Sequence, residues 1–434
     1  MDKKKQTIEE NRNLIKDESF KNRHRVAEKF FTRIRKLYFS LLLIHILRKS
    51  VKSIQLVLNE LSLDLDIEPI SNSAFTRARA KLRHTAFIEL NQKAIVNVCY
   101  GDGNFKRYKG FRMLAIDGSK VILPDTEDVI REFGQISYKT GKDGQEGQRA
   151  YGLASVMYDV LNRIGVDSVL SNARAYEVDL AVGHLEQSRE DDLIICDRNY
   201  PSYRFIATLH KRKRHYVIRC SAASFYEARQ MLKGEGEVSQ IVNLIPHHSK
   251  LKEIRECGLP KEVSVRFVRV TLETGEHEVL VTSLSDEEVY PTKDFKEIYH
   301  KRWGVEGYYD ILKTRLNLEN FTGQTAESVY QDFYATVYLS GLESMLTADT
   351  DEQLASKETK YPQQVNRAVS FNAIKNQALD ILFHDTDTEL ILNKLERLFL
   401  TNPTCSRQNR KVPRKKKSYH LLLDFWKRRR KHDF

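Results

Sequence analysis

Along the first hundred residues apolar positions recur at helical spacing, with charged flanks around the run FSLLLIHIL and no strand-like alternation. SVKSIQLVLNEL, a polar turn and SNSAFTRARAKLR read as two successive helices, the second capped by Ser71 or Ser73. From Tyr108 the texture changes. FRMLAIDGSKVILPD is an apolar strand that reaches Asp117, turns on Gly118 and continues as KVIL until Pro124 ends it. RAYGLASVMYDVLN and GVDSVLSNAR give two more strands around a tight link at Arg163 to Gly165, the pattern of an antiparallel meander. A helix is expected over EVDLAVGHLEQ, then a short buried strand, DLIIC, running straight into Asp197. PSYRFIATLHKRKR reads as a helix with Pro201 near its first turn, and HYVIRC as a fifth strand.

The next stretch, about 75 residues, is too long for a simple loop. Within it VSQIVNLI, KEVSVRFVRVTL and HEVLVTSL alternate like strands. EIYHKRWGVEGYYDILK, residues 297 to 313, reads as one helix, and the chain beyond is helical with a polar linker around Thr347 to Gln364. The expected organisation is α/β: a helical region over 1–100, a sheet-containing domain over 108–325 with a β-rich insertion at about 222–290, and a helical region over 326–434 ending in a basic tail.

Composition narrows the function. The 434 residues allow about two to four domains. With 71 basic against 59 acidic residues the net charge is +12, which calls for a polyanionic partner, nucleic acid first. Ribosome-associated and basic membrane-surface proteins share that one trait. The tail from Arg407, with RKVPRKKK and WKRRRKH around YHLLLDFW, suits phosphate contact or simple solvation. Five scattered cysteines without a C-x-x-C pair imply neither a disulfide framework nor a zinc knuckle, and His247 with His248 lacks a third ligand nearby. No Gly-rich phosphate loop and no G-x-S-x-G elbow occur. The N-terminus carries no apolar signal region, and the longest apolar run, Tyr38 to Leu47, is too short to span a bilayer, so a cytoplasmic protein without membrane contact is expected.

The candidate chemistry centres on residues 297 to 313. On an ideal helix Tyr299, Arg302, Glu306 and Lys313 fall at roughly 0°, 300°, 340° and 320°, one narrow polar stripe. Ile298, Val305 and Leu312 fall at roughly 220° to 260°, an apolar ridge that can dock the stripe on a core. A phenol, a guanidinium, a carboxylate and an ammonium on one semi-buried face suit phosphodiester chemistry. A solvated face with ordinary ion pairs has the same periodicity.

Tyr-x2-Arg-x3-Glu-x6-Lys resembles the signature of a group of bacterial insertion-sequence transposases with an Asp-Asp-Glu triad, and Tyr299, Arg302, Glu306 and Lys313 match it at every spacing. Trp303, Val305 and Tyr309 are similar to the family as well, as are Asp197-Arg198-x-Tyr200-Pro201-Ser202 and the run from Ser73 to Leu82. Asn199 stands where relatives commonly have glycine, and a positive φ is expected of it. The resemblance implies a ribonuclease-H-like core with the first and fourth strands adjacent, so that Asp117 and Asp197 end side by side. It further implies that Asp117, Asp197 and Glu306 hold two Mg²⁺ or Mn²⁺ ions.

Arg302, Tyr299 and Lys313 would contact phosphate, beside Arg198. Trp303 could stack on an extruded base, although on an amphipathic helix a core place is expected for it first. The partner implied is double-stranded DNA, at element ends and target, bound by a homodimer that cuts and pastes through a hairpin. The basic second helix near the N-terminus suits a helix-turn-helix, with Ser73 and Thr76 near bases and Arg77, Arg79 and Lys81 on phosphates; a basic solvated helix is the alternative. Two other functions remain open: a catalytically silent DNA-binding regulator or transposition inhibitor, and a nuclease of the same fold that only hydrolyses.

Overall fold

The computed structural model describes residues 2–33, 35–140 and 145–405. The basic tail expected from Arg407 lies outside them. Nine strands form one large mixed sheet: β1 (Arg112–Ile122), β2 (Gln135–Thr140), β3 (Gln145–Asp159), β4 (Ile164–Asn172), β5 (Asp192–Cys196), β6 (His215–Cys220), β7 (Ser239–Leu244), β8 (Val263–Thr271) and β9 (His277–Thr282). Their order is β2-β3-β1-β5-β6-β9-β8-β7, with β4 also paired to β3.

The apolar runs explain the centre. All five residues of β5 are buried, as a strand covered on both faces requires. Its one charged member, Asp192, is neutralised by a two-pronged bond from the buried Arg112 on β1, Nε and Nη2 each at 2.7 Å. β1 and β5 pair in parallel with Ile116 opposite Cys196, so the strands expected to be neighbours are neighbours. β6 continues the sheet in parallel, and β3 with β4 forms the expected antiparallel meander.

Three features add to or alter the sequence reading. A helix, Glu127–Phe133, and the strand β2 follow β1 unannounced; Thr126 caps the helix and Gly134 ends it at φ 81°. The insertion does not stand apart from the sheet: β9 pairs with β6, and β8 and β7 extend the same sheet outward. The helix Ala326–Ala355 runs well into the expected linker, because Thr347, Thr350 and Leu354 are buried along one side of its last turns. One apolar core runs from Ile8 to Phe399, so both helical ends pack onto the sheet domain and onto each other. No helix among the described residues is long and apolar enough to cross a membrane.

Candidate functional site

The parallel register places Asp117 and Asp197 one position past paired residues on adjacent strands. Both are half-buried. Burial first, and then the charges of Asp197 and Glu177, push the Asp117 carboxyl up to about 7, against the opposing pull of the Gly118 N–H and Arg302. The Gly118 N–H bonds Asp117 Oδ1 at 2.9 Å. Asn199 does not take the left-handed φ expected of it. Instead its N–H bonds Asp197 Oδ1 at 2.8 Å, and this Asx turn, together with Tyr200 N–H reaching the Asp197 carbonyl, shapes the loop without a glycine.

The segment over these aspartates is not one regular helix. Phe295–His300 and Trp303–Asp310 are α-helical, joined at Lys301 and Arg302 by tighter turns, with Arg302 N–H on Tyr299 O at 3.0 Å and Val305 N–H on Arg302 O at 3.1 Å. Ile311–Arg315 then widens into a π turn. Overwinding followed by underwinding moves later positions off the ideal wheel, and the four signature side chains differ in burial. Tyr299 and Arg302 are buried, while Trp303 and Glu306 are exposed. Lys313 lies against β1, its Nζ donating to Ser119 Oγ at 2.9 Å and Lys120 O at 2.7 Å.

Arg302 links these groups. Its Nη2 donates to Glu306 Oε1 at 2.5 Å, and its guanidinium stacks 4.9 Å from the Trp303 ring. Its Nε and the Tyr299 hydroxyl are buried with no hydrogen-bond partner. Burial raises the Tyr299 hydroxyl pKa, keeping it a donor in the field of Arg302, Arg219 and Asp197. Two donors are thus unsatisfied beside two aspartates, which is the arrangement a phosphate oxygen completes. Tyr309 secures the helix from beneath, its buried hydroxyl shared between the carbonyls of Asp117 at 3.0 Å and Ala154 at 2.9 Å.

The structure brings Asp117, Asp197, Arg302 and Tyr299 together but leaves Glu306 on Arg302. Among the described residues no three His, Cys, Asp or Glu side chains converge closely enough to hold a metal ion as they stand. Trp303 is 48% exposed, which corrects the expectation of a core tryptophan. Arg198 is exposed on the loop after Asp197. The sequence reading missed Glu177, in the first turn of the helix Glu177–His184, whose half-buried carboxylate lies over Gly118. An acidic residue opening a helix was the only signal available, and it is common to many helices.

At the N-terminal end Ile54–Asp64 and Asn72–Arg79 are the two expected helices, and Ser71 is the cap, accepting from Ala74 N–H. Ser73, Thr76 and Arg77 are exposed and Lys81 half-buried. Arg79 is not available to DNA. It is 4% exposed and bonds Gln331, Thr322, the Ser328 carbonyl and Asp332, pinning this helix to Ala326–Ala355. Arg77 and Lys81 instead join Lys29, Arg33, Arg35 and Lys36 around a groove of about 780 Å³, which no acidic side chain among the described residues lines.

This sheet, carrying two strand-end aspartates under an Arg/Glu helix, is that of a DDE-type domain. Residues 108–339, just over half of the chain, match the family described as Transposase DDE domain, and the chain belongs to that family. A curated relative, transposase InsG for insertion sequence element IS4 of Escherichia coli (strain K12), is 24% identical over 254 residues. The match covers 56% of this chain and 54% of InsG, so the chain spans about half the length of that relative. The cryo-EM structure of a piggyBac transposase synaptic complex with hairpin DNA overlaps 96% of this chain and 85% of its own at 11% identity, with a TM-score of 0.41.

Proposed function

We propose that the protein is a DNA transposase that binds the ends of an insertion sequence and performs metal-dependent strand cleavage and transfer, as a homodimer on paired ends. The observation that carries this reading is the parallel β1–β5 pairing, which sets Asp117 beside Asp197 beneath the unsatisfied donors of Tyr299 and Arg302. The order β4-β3-β1-β5-β6 at the heart of the sheet supports a ribonuclease-H-like core.

The donor set fits Mg²⁺ or Mn²⁺: the groups around the aspartates are carboxylates, with no thiolate or imidazole in the set, and burial first, then the charge of Asp197, holds the Asp117 carboxyl above its ordinary range. Asp117, Asp197 and Glu306 would hold two such ions, which supply Lewis acidity to activate a water or 3′-hydroxyl and to stabilise the departing 3′ oxygen. This chain's own residues do the rest. Arg302 turns its planar fork from Glu306 to a phosphate, freeing that carboxylate toward the aspartates. Tyr299 donates a hydrogen bond from its hydroxyl to the same phosphate, and Lys313 adds charge two residues along the strand from Asp117. Trp303, exposed and backed by Arg302, offers a face on which a base can stack. Arg198, exposed on the loop after Asp197, would add a phosphate contact.

DNA ends would be held by Ser73, Thr76, Arg77 and Lys81 together with the basic groove, with Arg79 kept out of that role by its burial. The hairpin route is part of the proposal. Incubation of a duplex carrying the element's own ends with Mg²⁺ is expected to give a 3′ nick, then a hairpin, then joining to target DNA. Nicking without hairpin or joining would reduce the protein to a hydrolase, and tight binding without nicking would make it a silent regulator.

A further inference from the structure

β7 is the last strand on its side of the sheet, paired with β8 along one edge and with no other strand among the described residues. Val238 continues that pairing: its carbonyl accepts from Arg269 N–H at 2.8 Å. Antiparallel strands bond at alternate residues, so Gln240, Val242 and Leu244 also turn their N–H and C=O groups to β8. Ser239, Ile241 and Asn243 therefore turn theirs outward, away from the sheet.

The side chains suit an edge that another strand covers. Alternation directs Val242 and Leu244 to the core and leaves Ser239, Ile241, Asn243 and Ile245 on the opposite face. Ser239 and Asn243 are polar, as a solvated face requires, yet Ile241 is 60% and Ile245 74% exposed. Edges that stay free in water are protected by lysine, proline or an inward-pointing charge, whereas residues 238–245 include no charged residue and no proline. The charges flank the strand instead. Glu235 and Glu237 are exposed just before it, and His247, His248 and Lys250 just after it. Acid at one end and basic groups at the other make the edge complementary to a second copy of itself running antiparallel; a parallel copy would set Glu235 and Glu237 against their own counterparts.

We propose that β7 is an interface between two copies of this chain, whose β7 edges pair antiparallel about a two-fold axis at Ile241 and join the two sheets into one. Directly opposed residues of antiparallel strands share a face, so the axis passes through a residue, and placing it at Ile241 brings the two exposed isoleucines together. In that register Ser239 faces Asn243 of the other copy and Glu235 faces its His247. The outward groups of Ser239, Ile241 and Asn243 then form about six backbone hydrogen bonds. This contact needs no DNA and so goes beyond the dimer on paired ends. It also leaves the catalytic aspartates clear, since β5, which leads into Asp197, lies inward of β6, β9 and β8.

The test is sedimentation velocity of the full chain without DNA, over a wide range of protein concentration and in salt that screens the +12 charge of each copy. The wild type should form a reversible dimer. Ile241→Lys, which sets two like charges opposite each other, should weaken it about tenfold or more. Asn243→Pro, which removes an outward N–H and no bond to β8, should weaken it as well. Leu390→Lys, at a residue 63% exposed in another part of the molecule, should leave it unchanged. Melting of dilute samples reports whether each variant folds. A wild type that stays monomeric throughout would overturn the proposal, and so would a dimer that neither β7 variant weakens, because its contact would lie elsewhere. Weakening by Ile241→Lys alone would overturn the strand pairing, and equal weakening by Leu390→Lys would reduce the association to nonspecific stickiness. None of these results bears on DNA cleavage, so failure here leaves the transposase reading standing.

Discussion

Replacing Arg79 by methionine removes a buried cation from a site where it makes four hydrogen bonds: Nε to Gln331 Oε1 at 2.6 Å, Nη1 to Thr322 Oγ1 at 2.6 Å, and Nη2 to Ser328 O and Asp332 Oδ1, both at 2.7 Å. The partner Asp332 is fully buried. Burial pushes its carboxyl up, but Arg79, Lys49 and the donors of Thr322 outweigh that and hold it below its ordinary value. Methionine fills much of the volume but strands the carboxylate, a change that costs about 3–5 kcal/mol. Urea unfolding at pH 7 should show that loss at unchanged slope. The sign of the pH dependence should also invert: with Arg79 present the Asp332 contribution is lost as pH falls, whereas the variant should gain stability on acidification because its uncompensated Asp332 takes up a proton. Binding of a duplex carrying the element's ends, per folded molecule, should stay near wild type. Unchanged stability combined with lost DNA binding would refute the structural role and return Arg79 to the DNA face.

Asp117 gives a second pH signature. Its folded-state value of about 7 lies above the ordinary 3.8, so the folded protein holds a proton that the unfolded chain has released, and metal-free stability should fall as pH rises from about 4 to about 7. The shift corresponds to at most about 4 kcal/mol, which partial exposure reduces to about 1–2 kcal/mol; Asp117→Asn should flatten this slope, measured by melting across pH without metal. Tyr309→Phe removes a buried hydroxyl from the carbonyls of Asp117 and Ala154, and should cost about 1–2 kcal/mol in urea unfolding while slowing cleavage. Trp303→Ala should change stability by less than about 0.5 kcal/mol, as expected of an exposed side chain, yet weaken processing of DNA ends; a melting drop of several degrees would show that the ring is structural.

The central strands were legible because apolar runs bounded by Gly and Pro leave few alternatives, and the β1–β5 adjacency followed from the resemblance that the signature residues carry. The helix at 297–313 was harder. Its periodicity is real, but a tight turn at Lys301–Arg302 and a π turn at Ile311 interrupt it, and tertiary contacts such as Tyr309 on two strand carbonyls lie outside any single-helix wheel. Arg79 illustrates the same limit: a basic residue in a basic helix gives no sign that Gln331 and Asp332, some 250 positions later, will enclose it. Three of the four cations at Lys211 to Arg214 are likewise engaged internally, by Cys257 O, Glu186 and Ser188. Glu177 was invisible because its meaning lies in Gly118, 59 positions away in a different element.

The central claim, that Asp117, Asp197 and Glu306 form one metal-dependent DNA-cleaving site, is tested most directly by Glu306→Gln. Wild type and variant would be given a duplex with the element's own ends, with Mg²⁺ and with EDTA, and both binding and 3′ nicking would be followed. Binding should be equal, nicking should require Mg²⁺ in the wild type, and nicking should be absent in the variant. Undiminished Mg²⁺-dependent nicking by Glu306→Gln would contradict it.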